Sequence, residues 1–258
     1  MITKDVNAQD ARQVVAVDRR TALKAVVASA AAPMFVPARV LGANAPSKRI
    51  TLGFAGLGGQ GLGYNLRAFL GQADAQVVAV CDVFRSKSES AQKIVNARYK
   101  SSDCKAYTDF REIVGDESID AMVISTPDHW HVPMSLLALE AGKDVFCEKP
   151  TKTIAEGRAL IEEVKKRKAI FQIGLEDRSV SQYHKMVEWL RNGAIGDLER
   201  VDVSLPPGMV HPIEKEAPVP DGLDYNLFVG PAEFIPHTPN ITTQRWWRMI
   251  RNFGTGSL

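Results

Sequence analysis

At 258 residues the chain is long enough for one or two domains of roughly 150 residues each, and 45% hydrophobic against 24% charged residues excludes a disordered chain. The 32 basic and 30 acidic side chains leave a net charge of +2, which gives no electrostatic basis for nucleic-acid binding. Cys81, Cys104 and Cys147 are odd in number and lack C-x-x-C spacing, so neither a disulfide framework nor a metal centre is expected.

The first 45 residues stand apart. Arg19-Arg20 precedes a run of 14 uncharged residues, 25–38, broken by Pro33 and Pro37. The run is short of the roughly 20 residues a stable membrane span needs. With small residues at Ala43-Asn44-Ala45 it resembles a twin-arginine export signal, although Asp18 and Ala22 depart from that pattern and Pro46 disfavours cleavage. The resemblance implies a periplasmic or otherwise exported protein. The alternative is an ordinary amphipathic N-terminal helix in a cytoplasmic protein.

From residue 46 the pattern becomes α/β. Ile50, Leu52 and Phe54 alternate as in a strand and run into Gly56-x-Gly58-x-x-Gly61. Gly56 suits the tight turn, Gly58 lets the backbone approach a pyrophosphate, and Gly61 lets the helix over 62–70 pack closely. Residues 76–81 form an apolar strand ending at Asp82, 21 residues after Gly61. An acid there accepts hydrogen bonds from an adenosine ribose; a helix N-cap is the plainer role. NAD is expected, while Arg85 and Lys87 keep NADP open.

Ser86-x-x-Glu89, Asp109-x-x-Glu112 and Thr153-x-x-Glu156 read as capping boxes. Strands are expected at 119–125, 144–147 and 170–173. A helix is expected from Pro133 to Gly142, and the helix after Thr153 ends in the cations of 165–168. Strands alternating with helices predict a doubly wound, Rossmann-type parallel sheet over 46–175, with its ligand beyond the strand carboxyl ends.

Further on, a helix is expected over 181–192 and a half-buried strand over 198–205, with Val201, Val203 and Leu205 inward. Arg178, Trp246 and Trp247 are candidate substrate contacts. Core packing explains the tryptophans and an ion pair the arginine equally well. His129 and His131 are two apart where side chains diverge, with no third ligand evident, so no metal is assigned to them.

Two motifs at expected strand ends carry a family resemblance: Thr126-Pro127-Asp128-His129-Trp130-His131, and residues 142–150 (GKDVFCEKP). With the glycine turn they resemble the Gfo/Idh/MocA oxidoreductases, the glucose–fructose oxidoreductase and inositol dehydrogenase group. The resemblance implies an NAD(P)-binding domain, then an α+β substrate domain with a mostly antiparallel sheet, begun by 176–258. It implies hydride transfer at a sugar or cyclitol carbon, with Lys149 catalytic and Thr126, Pro127, His131 and Glu148 beside the cofactor. Glu148 is expected to orient Lys149 or meet the nicotinamide ribose. A homo-oligomer is expected for the full-length protein. The family's D-x-G-x-H segment is absent after residues 253–256, so an incomplete substrate domain and little sugar turnover are expected of these 258 residues. An NAD-dependent glycosidase of the same fold and a non-catalytic nucleotide sensor are the competing readings.

Overall fold

The computed structural model describes residues 48–205, 207–208, 210, 212–243 and 246–256. The export signal expected over 1–45 lies outside them. All described residues belong to one compact unit, Ala43–Leu258.

Six strands form one sheet: β1 (Ile50–Ala55), β2 (Ala75–Cys81), β3 (Lys105–Tyr107), β4 (Ala121–Ile124), β5 (Asp144–Glu148) and β6 (Phe171–Gly174). Their spatial order is β3-β2-β1-β4-β5-β6, and every pairing is parallel. The glycine turn after β1 gives a π-helical turn, Gly61–Asn65, and α1 (Leu66–Leu70). The other crossovers carry α2 (Arg85–Tyr99), α3 (Arg111–Val114), α4 (Asp128–Glu140) and α5 (Ile154–Arg167).

Strand alternation splits the core between the two faces. Leu52, Phe54 and Val123 pack with Leu66, Leu70, Ala91 and Val95 of α1 and α2. Ala55, Met122 and Ile124 pack with Ile113, Val132, Leu139 and Leu160 of α3, α4 and α5. Successive strands are added outward in one sense from β1 and in the opposite sense from β4, so the loops after these two parallel strands diverge and leave a crevice at their carboxyl ends.

The Thr153–Glu156 capping box is complete, and Lys165, Lys166 and Arg167 fill the last turn of α5. The other two boxes do not form. Helix α2 starts two residues early, at Arg85, with Phe84 as an N-cap that has no side-chain bond. Its first amides are satisfied elsewhere: Phe84 N–H donates to Asp82 Oδ1 and Arg85 N–H to Gly222 O. Asp109 Oδ1 accepts from the Arg111 amide, two residues on. Helix α4 begins at Asp128, five residues before Pro133. Pro127 holds the extended N-cap conformation, and the Asp128 carboxylate suits the positive end of the helix.

Beyond β6 come a 3-10 turn (Glu176–Ser179), α6 (Ser181–Arg191), α7 (Tyr225–Val229) and a second 3-10 turn (Trp246–Met249). The strand expected over 198–205 is not there: Val201, Val203 and Leu205 are 68%, 77% and 58% exposed. Alternation makes a strand only where a neighbour supplies the ladder, and no described residue pairs with this segment. Residues 222–256 instead form a third core. Leu223, Tyr225, Phe228, Ile241 and Phe253 pack against Val83 and Phe84 of the nucleotide half. No helix among the described residues is long and apolar enough to cross a membrane.

Candidate dinucleotide site

The three glycines of the turn do different work. Gly56 has φ +88°, and a Cβ there would lie 2.5 Å from the Ser125 carbonyl carbon. A Cβ on Gly61 would run into Gly56 O. Both are demanded by the protein's own backbone. A Cβ on Gly58 would meet nothing within 4 Å. Its bareness is of no use to the fold and leaves space for a ligand against the backbone.

Asp82 closes the other side. It is 8% exposed, and its Oδ2 accepts from Leu57 N–H at 2.7 Å while Oδ1 accepts from Phe84 N–H at 2.9 Å. The acid at the end of β2 therefore holds the glycine turn as well as facing the crevice.

Beneath the turn lies a polar network that sequence reasoning missed. Asn65 Nδ2 donates to Ser125 Oγ at 2.9 Å and to Glu148 Oε1 at 2.8 Å. Gln60 Nε2 donates to Glu148 Oε1 at 3.1 Å and to Glu176 Oε1 at 3.3 Å. Each amide spends both its hydrogens, and the carboxylate accepting from both fixes their orientation. Asn65 is 4% exposed on a face shared with Gly61, Leu66 and Leu70. A polar side chain on that buried face was the available signal. Glu148 thus ties the helix after the glycine turn to the end of β5. The expectation that it orients Lys149 finds no bond in support.

Lys149 itself is exposed at the carboxyl end of β5, and a cis bond joins it to Pro150. His131, 2% exposed, spans the two motifs: Nδ1 lies 2.9 Å from Pro150 O and Nε2 2.8 Å from Thr126 O. A neutral ring donates from one nitrogen only, so the tautomer decides which carbonyl it bonds. Thr126 Oγ1 is buried with no partner. Its backbone N would lie 2.7 Å from a Cβ on Gly56, so this orphaned hydroxyl stands beside the glycine turn. Pro127 is the N-cap of α4. Lys143 turns away from the site and pins the opposite sheet edge through Asp116 O and Ile119 O.

The side facing residues 222–256 is fastened by α4. His129 Nε2 lies 2.9 Å from Phe228 O and Nδ1 3.2 Å from Phe253 O. Burial outweighs both carbonyls and pushes its pKa down to about 4, so the ring is neutral at pH 7. Trp130 Nε1–H donates to Leu227 O, and Lys152 Nζ donates to Asn252 O.

The structure therefore gathers Gly56, Gly58, Gly61, Asp82, Thr126, Pro127, His131, Glu148 and Lys149 along one edge of the sheet. Arg178 is exposed on the turn after β6. Trp247 packs into the third core with the Arg248 guanidinium 4.4 Å over its ring, and Trp246 is half-buried in the same 3-10 turn. No group of three or more potential metal ligands occurs among the described residues.

An open glycine, a pre-bonded acid and an orphaned hydroxyl around one crevice fit a dinucleotide. The sequence profile of the Gfo/Idh/MocA oxidoreductase family, NAD-binding Rossmann fold, matches residues 50–175. Residues 50–175 are thus similar to that family. Inositol 2-dehydrogenase 1 of Saccharopolyspora erythraea is 30% identical over 170 residues, 65% of this chain and 46% of that protein. The D-xylose 1-dehydrogenase (NADP(+)) of Hypocrea jecorina is 33% identical over 131 residues, 50% of this chain and 33% of that one. The crystal structure of myo-inositol 2-dehydrogenase from Lactobacillus plantarum superposes with a TM-score of 0.52 at 28% identity, covering 58% of this chain and 43% of that one. The chain thus spans less than half the length of these Gfo/Idh/MocA relatives.

Proposed function

We propose that this chain carries the cofactor-binding half of an NAD(P)-dependent oxidoreductase acting at a hydroxyl-bearing carbon of a sugar or cyclitol. The observation that carries the reading is the exposed Lys149, one strand away from β4 and its Thr126-Pro127 turn beside the glycine turn. A bound nicotinamide would supply the hydride acceptor or donor. Gly56, Gly58 and Gly61 would seat the pyrophosphate, Asp82 the adenosine ribose, and Thr126 and Glu148 the nicotinamide side.

Lys149 Nζ would donate a hydrogen bond to the substrate oxygen. Its positive charge would stabilise the alkoxide that forms as the hydroxyl gives up its proton and that becomes the carbonyl as hydride passes to the nicotinamide, and, in the reverse direction, the alkoxide that develops as the carbonyl carbon gains hydride. His131, bonded through its one N–H to the Pro150 or the Thr126 carbonyl, would help hold the turn after Lys149 beside the crevice. The inositol and xylose specificities of the relatives support a polyhydroxylated substrate.

Fluorescence titration with NADH, followed by dinucleotide reduction with a panel of inositols and aldoses, tests the reading. The expected result is saturable NADH binding, and wherever turnover is found, Lys149→Met lowers it about 100- to 1,000-fold. Turnover undiminished in Lys149→Met would remove Lys149 from the chemistry. We further propose export through the twin-arginine route; Arg19→Lys with Arg20→Lys should then retain the protein in the cytoplasm.

A further inference from the structure

At the carboxyl end of β2 a distant segment closes over the turn that follows Asp82. Phe84 and Leu223 form an antiparallel bridge. Asp224 N–H donates to Val83 O at 2.9 Å, and Arg85 N–H donates to Gly222 O at 2.9 Å. Leu223 is buried against Val83 and Phe84. A Cβ on Gly222 would meet only Arg85 Cβ, at 3.9 Å, so the segment lies directly alongside the first residue of α2.

Charges of both signs gather here, and Arg111 interacts electrostatically with Asp224. Asp82 lies under the turn, and Asp221 and Asp224 lie on the segment that covers it. Lys87 Nζ is held over the Phe84 ring, 4.1 Å from its centroid. Arg85 is exposed at the start of α2.

An acid at this place accepts from a ribose 2′-hydroxyl, whereas a 2′-phosphate needs cations or free backbone N–H groups. The first amide of α2 is taken by Gly222 O and the Lys87 ammonium lies over Phe84, which leaves Arg85 as the cation at this turn against the acids Asp82, Asp221 and Asp224. We propose that residues 222–224 form a second wall of the adenosine subsite and, with Asp82, make it select a 2′-hydroxyl over a 2′-phosphate, NAD over NADP. This rests on the cofactor reading above.

The test is titration of the full chain with NADH and with NADPH. NADH is expected to bind at least ~10-fold tighter, since like charges oppose the phosphate. Asp82→Ala should narrow the ratio without abolishing it. Asp224→Pro deletes the N–H that bonds Val83 O together with the carboxylate that caps α7 through Leu227 N–H, and should narrow the ratio about fivefold or more. If circular dichroism shows that Asp224→Pro does not fold, Asp221→Lys serves instead. It reverses an exposed charge beside Gly222 and should raise NADPH affinity about fivefold, a gain that fades at high salt.

A ratio left unchanged by Asp221→Lys, or one that falls to unity in Asp82→Ala alone, overturns the wall and leaves the cofactor reading standing. NADPH binding tighter than NADH in the wild-type chain does the same. A folded wild-type chain that binds neither dinucleotide overturns the cofactor reading and the wall with it.

Discussion

Residues 50–174 and residues 176–256 have the same kinds of side chains and opposite fates. In the first region the apolar residues at the centre of the sheet have strand neighbours and a helix above them, so Phe54, Val80 and Ile124 are fully buried. In the second, Val201 and Val203 alternate as regularly as any strand and stay exposed, because no described strand pairs with them. Residues 222–256 escape that outcome by borrowing the nucleotide half as their partner. Patterning sets which face a residue presents, and a neighbouring backbone decides whether that face is covered.

The strongest way to break this contrast is at the glycine turn. Gly61→Ala forces a methyl group into Gly56 O and should cost about 3 kcal/mol or more, read as a lowered melting temperature. Gly58→Ala meets nothing, so stability should stay within about 0.5 kcal/mol while NADH affinity falls. Equal melting losses at both positions would contradict the division of labour among the glycines.

Next in size is Ile124→Ala, which empties a fully buried site and should destabilise by about 2–5 kcal/mol in urea unfolding.

Acid should loosen the seam between the regions. His129 has an ordinary pKa of 6.5 and is held at about 4 in the folded chain. As pH falls from 6.5 towards 4 the unfolded chain takes up a proton there that the folded chain refuses, so stability falls with pH. The full effect is about 3 kcal/mol, reached by pH 4 and absent above pH 7. Tryptophan fluorescence during urea unfolding at pH 7.5 and pH 5 checks it, and His129→Gln should flatten the dependence.

The smallest effect belongs to the second region. Val203→Ala should change stability by less than about 0.5 kcal/mol, because the side chain is already in water.

Much of the nucleotide half was legible because its signals are local. A glycine turn, an acid at a strand end and a capping box such as Thr153–Glu156 each depend on a few adjacent residues. The failures were non-local. Ser86 looked like a cap, yet the helix is already under way there: Ser88 N–H donates to Phe84 O, and the start is moved upstream by Gly222 O, more than 130 residues away, which takes the Arg85 amide. Asn65 lay in the expected helix and Gln60 in the glycine turn, neither with a role of its own, and only the fold sets them against Glu148. The strand read into 198–205 failed for the converse reason: its periodicity was present and its partner was not.

Asp82 meets a ligand already immobilised. Its two oxygens accept from Leu57 and Phe84, and each carboxylate oxygen has a second lone pair to offer a ribose hydroxyl. The side-chain freedom that a surface acid would lose on binding has been given up during folding. Docking a ribose there requires no rotamer search and no reorganisation of the glycine turn. In the proposed roles, a ligand that pulled the carboxylate towards itself would strain the Leu57 amide, and the pyrophosphate and ribose subsites would be coupled through that bond.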